Sequence, residues 1–134
     1  MTMEARSKKE VGARTPAEIG RLFMEAFNAH DVDALVELYE TDAVLVPQAG
    51  QRATGRKEIR EALTGFVSAF NSIELSARGI VEQGDTALIY PVFTLRGTDG
   101  AGAPTTVEGR GTEVVRRQHC GSWMFVIDDP FSTA

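Results

Sequence analysis

The chain carries a single cysteine, Cys120, so it cannot close a disulfide on itself. A framework of the secreted type is excluded, and a reducing, cytoplasmic compartment is expected. Histidine is nearly as scarce, at two, and two isolated histidines with one cysteine give no metal-ligand spacing. No zinc site and no cofactor are expected. No apolar run approaches the ~20 residues of a membrane span. The opening stretch, MTMEARSKKEVGAR, has charges but no apolar centre, so it is not expected to act as a secretory signal. Positive charge is also thin: the formal net charge is −5, and basic residues cluster only in the pairs Lys8-Lys9, Arg56-Lys57 and Arg116-Arg117. Nucleic-acid and anionic-membrane binding draw their affinity from concentrated positive charge, so neither partner is expected.

What is present is ordinary for a globular domain: 134 residues, 43% hydrophobic and 25% charged. A domain of this size buries roughly 65–70% of its unfolded surface and holds without a staple. Residues 1–14 read as a flexible polar tail and residues 15–134 as one domain.

Thr15-Pro16-Ala17-Glu18 is a capping box with proline at the first helical position. Ile19, Leu22, Phe23, Ala26 and Phe27 then form one apolar stripe at helical spacing. Asp31 can cap a second helix, with Val32, Leu35, Val36 and Tyr39 on its buried face. A short strand over 43–46 closes at Pro47, and a third helix runs from about Gly55 to Val67. Strands follow. Residues 72–82 alternate, Gly84-Asp85 turns, and 87–95 are almost continuously apolar, which suggests burial on both faces. Pro91 cannot donate to a ladder, so an edge or bulge is expected there. Residues 105–117 read as one strand and 122–128 as the last.

This order predicts an α+β domain, a cone-shaped curved antiparallel sheet with three N-terminal helices packed on its concave face. Three short helices cannot cover both faces of a long sheet, so a second copy of the chain is expected on the other, as a homodimer.

The run Phe23-Met24-Glu25-Ala26-Phe27-Asn28-Ala29-His30-Asp31, the segment Leu38 to Pro47, Gly55-Arg56-Lys57-Glu58-Ile59, and the tail segments 111–118, 121–123 and 127–131 together resemble the nuclear transport factor 2-like superfamily. The nearest resemblance is to its SnoaL-like and ketosteroid-isomerase-like members, over about residues 15–131. It implies an apolar pocket beneath the helices and, in most members, a homodimer. It does not imply one function, because the fold hosts isomerases, cyclases, dehydratases, binding proteins and association domains.

Ketosteroid isomerases use an aspartate base and an oxyanion hole of tyrosine and protonated aspartate. Matched onto this chain, the tyrosine falls on Phe23, the base on Val46 and the oxyanion aspartate on Glu113. Only Glu113 can ionise, so the classical isomerase mechanism is not expected. Alternation puts Glu113 on one face with Val107, Gly109, Gly111 and Val115, an acid among small and apolar residues. Burial there would raise its pKa and make it a general acid or hydrogen-bond donor. A structural salt bridge to Arg78 or Arg110 stands as the alternative.

Phe23, Phe27, Val46, Tyr90, Val115 and Met124 are the expected pocket-lining residues, with Glu113 the one catalytic candidate. Trp123, Phe125 and Ile127 alternate and read as core or dimer interface. Asp128-Asp129-Pro130 reads first as a strand-ending turn, with a carboxylate at the cone's mouth as the alternative, and His30 reads as a cap at a helix junction. These readings lead to a homodimer binding a small apolar or polyketide-like molecule, with cofactor-independent acid–base chemistry if it is an enzyme. A non-catalytic association or oligomerisation domain is the alternative. An active cone should enclose roughly 300 Å³ or more and a vestigial one almost nothing.

Overall fold

Helix α1 (Pro16–Asn28) begins where the capping box lies. In the computed structural model, which describes residues 12–132, the Thr15 hydroxyl accepts the Glu18 N–H at 3.2 Å. The Glu18 carboxylate reaches back to the N–H of Arg14, at 2.6 Å, one residue earlier than expected. The helix buries Ile19, Ala26 and Phe27. It ends in a Schellman motif: His30 N–H donates to the Phe27 carbonyl and Asp31 N–H to the Ala26 carbonyl, each at 2.9 Å. His30 sits between them at φ 58°, so it is a cap.

Asp31 then accepts the Ala34 N–H at 3.1 Å and starts α2 (Val32–Val36). This helix has five residues and stops short of Tyr39. Tyr39 opens strand β1 (Tyr39–Leu45) instead of extending the apolar face of α2. Arg56 holds that start, donating Nε and Nη2 to the Tyr39 carbonyl at 2.9 and 2.6 Å. After β2 (Ala53–Thr54), helix α3 (Gly55–Ala69) buries Ile59, Leu63 and Val67. The remaining strands are β3 (Ser72–Gln83), β4 (Thr86–Thr98), β5 (Pro104–Arg110), β6 (Thr112–Arg117) and β7 (Trp123–Asp129).

The seven strands form one curved, unclosed sheet in the order β2-β1-β7-β6-β4-β3, with β5 also paired to β4. The sheet is mixed, not wholly antiparallel as expected, because β1 runs parallel to β7. Parallel neighbours need a long connection, and α3 with the β3–β6 meander supplies it. The core lies between helices and sheet, with α1 packed on β3 and α3 on β1. Asn28 ties the end of α1 to β3 by two hydrogen bonds to the Ile73 backbone, 2.8 and 3.2 Å long.

Residues 105–117, expected as one strand, split at Gly111. On one side β5 pairs with β4 from Val92 to Thr98, and on the other β6 pairs with it from Thr86 to Ile89. A Cβ on Gly111 would lie 2.7 Å from backbone atoms of Asp129 and Pro130, so the close approach requires glycine. Across β4, the extra residue Arg78 forms a bulge opposite Pro91, where one was expected. Strand β4 alternates between buried and half-buried positions, so only one of its faces is fully covered.

Ala13, expected in the tail, is fully buried and pairs with Trp123. The rest of that tail, residues 1–11, lies outside the described residues. Among the described residues no helix is long and apolar enough to cross a membrane.

Candidate functional site

Strands β6 and β7 pair so that Glu113 and Asp128 are direct cross-strand neighbours. Both face the helices, and both are buried, at 8% and 5% exposure. Asp128 reaches that face through a bulge. Val115 pairs with Phe125 but Val114 with Ile127, leaving Val126 as an extra residue. One extra residue turns every following side chain to the other face. Trp123 and Phe125 therefore point inward, Ile127 points out at 43% exposure, and Asp128 points in. The expectation that Ile127 belongs with Trp123 and Phe125 fails for this reason.

Tyr39, also fully buried, donates its hydroxyl to Asp128 Oδ2 at 2.6 Å. Its ring packs on Phe125 at 4.8 Å between centroids, which fixes the hydroxyl's direction. Asp128 Oδ1 is buried with no hydrogen-bond partner. Such a group costs about 1–3 kcal/mol or more if left bare. No arginine pairs with Glu113 among the described residues, and Arg78 instead lies 5.7 Å from the centre of the Tyr90 ring.

The three groups shift one another in a consistent way. Burial, and then the neighbouring Asp128 charge, push the Glu113 carboxyl well above the usual carboxylate range. Burial raises Asp128 to about 6, against the opposing hydrogen bond from Tyr39. The Tyr39 phenol is raised well above its ordinary value by burial and by Asp128. Two carboxyls on paired positions in an apolar site disfavour ionising together, and of the two Glu113 is the one held more strongly toward its protonated form. The result is a buried acid on Glu113 beside a buried acceptor on Asp128, with Tyr39 holding the acceptor in place.

These groups line a cavity of about 50 Å³ whose other walls are apolar, including Phe23, Phe27, Phe66, Phe93 and Phe131. The volume is far below the 300 Å³ expected, yet the chamber is not filled: it holds a few waters or a group of a few heavy atoms. Of the expected lining residues, Phe23 and Phe27 border it, as does the catalytic candidate Glu113. The others lie elsewhere. Val46 is half-buried and donates its N–H to the Asp128 carbonyl at 2.9 Å. Val115 is core, Tyr90 lies beneath Arg78, and Met124 borders a separate surface hollow beside Trp123. Sequence reasoning missed Tyr39 and gave the carboxylate of Asp128 only as the alternative to a turn. The first was absorbed into a helical stripe, and the second is exposed as a site residue only by a bulge. Among the described residues, no three His, Cys, Asp or Glu side chains come together as a metal site.

The fold recurs in solved structures of low sequence identity. A ketosteroid isomerase-like protein from Erwinia carotovora is 22% identical over 83% of this chain and 88% of its own, with a TM-score of 0.72. A provisionally assigned calcium/calmodulin-dependent protein kinase II association domain from Xanthomonas campestris is 18% identical over 97% and 86%, at 0.68. A provisionally assigned dehydratase of the NTF2-like family from Streptomyces avermitilis is 20% identical over 80% and 86%, at 0.65. No curated protein matches the chain. The family model of the SnoaL-like domain matches residues 21–125. With its curved sheet and its helices packed on one face it shares the fold of that NTF2-like structure, and the chain belongs to the SnoaL-like domain family.

Proposed function

We propose that this protein binds a small, largely apolar carbonyl compound beneath its helices and moves a proton on it without a cofactor. The observation that carries this reading is the Glu113–Asp128 pair, an acid beside an acceptor in an apolar chamber. Asp128 takes a proton from the carbon next to the carbonyl, and the C–H electron pair becomes the new C=C bond. The carbonyl π electrons move to oxygen, which takes the Glu113 proton and leaves an enol. In a β,γ-unsaturated substrate the enol is a dienol. Asp128 returns its proton to the γ carbon while the enol O–H proton goes back to Glu113 and the carbonyl re-forms, which completes an isomerisation. In a β-hydroxy substrate the Asp128 proton leaves with the hydroxyl as water while the enol O–H proton returns to Glu113, which completes a dehydration. General acid–base catalysis by such positioned groups contributes typically 10²–10⁴-fold. The chamber's size favours a small reacting group over a polycyclic polyketide lodged whole. We place the protein in the cytoplasm as a homodimer, on the strength of its lone cysteine and of the exposed Val81 and Ile127 on the sheet face turned away from the helices.

Proton exchange tests the reading directly. In D₂O, the wild-type protein is expected to speed deuterium entry at the α carbons of 2-butanone, followed by NMR. Glu113→Gln and Asp128→Asn should each slow that rate by about 100-fold or more. Exchange no faster than in buffer alone overturns the catalytic reading. It would leave the second reading, a non-catalytic association domain, which the small chamber favours.

A further inference from the structure

A chamber of about 50 Å³ takes only a group of a few heavy atoms, so the body of any longer ligand must lie outside it. A second cavity, of about 170 Å³, lies between α1 and the β3–β4 hairpin. The two share Glu113 and Leu75 as walls. The larger one is lined by Pro16, Gly20 and Met24 of α1 and by Ile80, Ile89 and Pro91 of the sheet. Ile80, a large hydrophobic residue with 37% exposure, is partly uncovered there. Arg21 stands on its rim, but its guanidinium is already engaged by Glu18 and Glu25 at 2.9 and 2.7 Å. The groove thus offers apolar walls with a neutralised rim, and it ends on a carboxyl more than nine-tenths buried that no described residue hydrogen-bonds.

We propose that the site is bipartite: the small chamber takes only the reacting carbonyl end, and the α1–β3 groove takes an extended apolar tail, with Glu113 at the junction. The ligand class is then an elongated aliphatic or thin aromatic carbonyl compound, not a compact one. This rests on the carbonyl-binding reading above and adds the shape of the substrate to it.

Gly20 lines the groove and not the chamber. A Cβ there would have only Leu75 Cδ2 within reach, at 3.8 Å, so a methyl fits and a larger side chain must enter the groove. Gly20 lies inside α1, where any ordinary residue favours the helix over glycine, so Gly20→Leu should fold. Exposed Ala17→Leu, on the same wall, serves as a second blocking variant.

The experiment is an NMR titration of the intact protein with straight-chain 2-alkanones from 2-butanone to 2-nonanone. Affinity for the wild type should rise roughly fourfold for each added methylene, the value expected for full burial of a CH₂ group, and then level off as the groove fills. Either blocking variant should lose that dependence on length while binding 2-butanone as before. Binding that does not strengthen with length, or strengthens equally in the blocked variants, overturns the bipartite site and leaves the carbonyl chamber standing. No binding by any member of the series overturns both.

Discussion

At the scale of single residues, the buried carboxyl pair makes stability depend on pH in a direction opposite to that of surface acids. Asp128 is raised from 3.8 to about 6, and Glu113 is raised as well. The folded state therefore binds protons more tightly than the unfolded chain. This contribution is fully present below about pH 4 and is lost as pH rises through the folded values. Surface Glu40, lowered by Arg116, acts with the opposite sign but is common to all variants. Comparing pH 4 with pH 8, Asp128→Asn should gain about 2 kcal/mol on the wild type. Glu113→Gln should move the same way. Urea unfolding at the two pH values measures this, and variants that track the wild type at both would show that the pair titrates like exposed acids. Glu113 was legible in the sequence because simple alternation carried it to the small and apolar face of its strand. Tyr39 was not, and Asp128 was legible only as an alternative to a turn, because each depends on a break in periodicity that residue types alone do not mark.

Among the elements, those with local chemistry were legible. Thr15 and Asp31 cap helices where expected, since a cap needs only a side-chain oxygen and an N–H two or three residues on. The extent of α2 was not, because its stripe of Val32, Leu35, Val36 and Tyr39 continues into a residue that strand pairing with Phe125 claims. Gly111 is the clearest case of an element boundary imposed from outside. Its own neighbours would continue the strand, but the backbone of Asp129 and Pro130 passes too close for a side chain. Gly111→Ala should cost about 2–4 kcal/mol, because backbone cannot step aside as a side chain can. Gly65→Ala, in the exposed interior of α3 with nothing within 4 Å of the new methyl, should instead stabilise by about 0.5–1 kcal/mol. Denaturant midpoints of the two variants test the contrast. Equal midpoints would contradict the assignment of the bend to close packing.

For the whole molecule, the open question is what covers the sheet face turned away from the helices. Strand register lines up Val81, Leu88, Val114, Ile127 and Val44 as successive cross-strand partners over five strands. Val81 and Ile127 are 57% and 43% exposed. A continuous aliphatic row of this kind suits a self-complementary contact about a two-fold axis. Light scattering should find a dimer at micromolar concentration. Ile127→Arg, placing a charge mid-row, should weaken it by about 100-fold or more with the monomer still folded. A wild-type monomer would remove the homodimer from the proposal. The division between sequence and tertiary structure follows from the range of the forces involved. Composition, caps and hydrophobic period act over a few residues, and by themselves they determined the α+β class, the helix starts, the long hairpin and the inward face of Glu113. The parallel pairing of β1 with β7, the bend at Gly111, the bulge at Val126 and hence the meeting of Tyr39, Asp128 and Glu113 join residues up to 89 positions apart. Only the packing of distant strands into one curved sheet could decide them, because a one-residue shift in register costs little locally and reverses which side chains face the core.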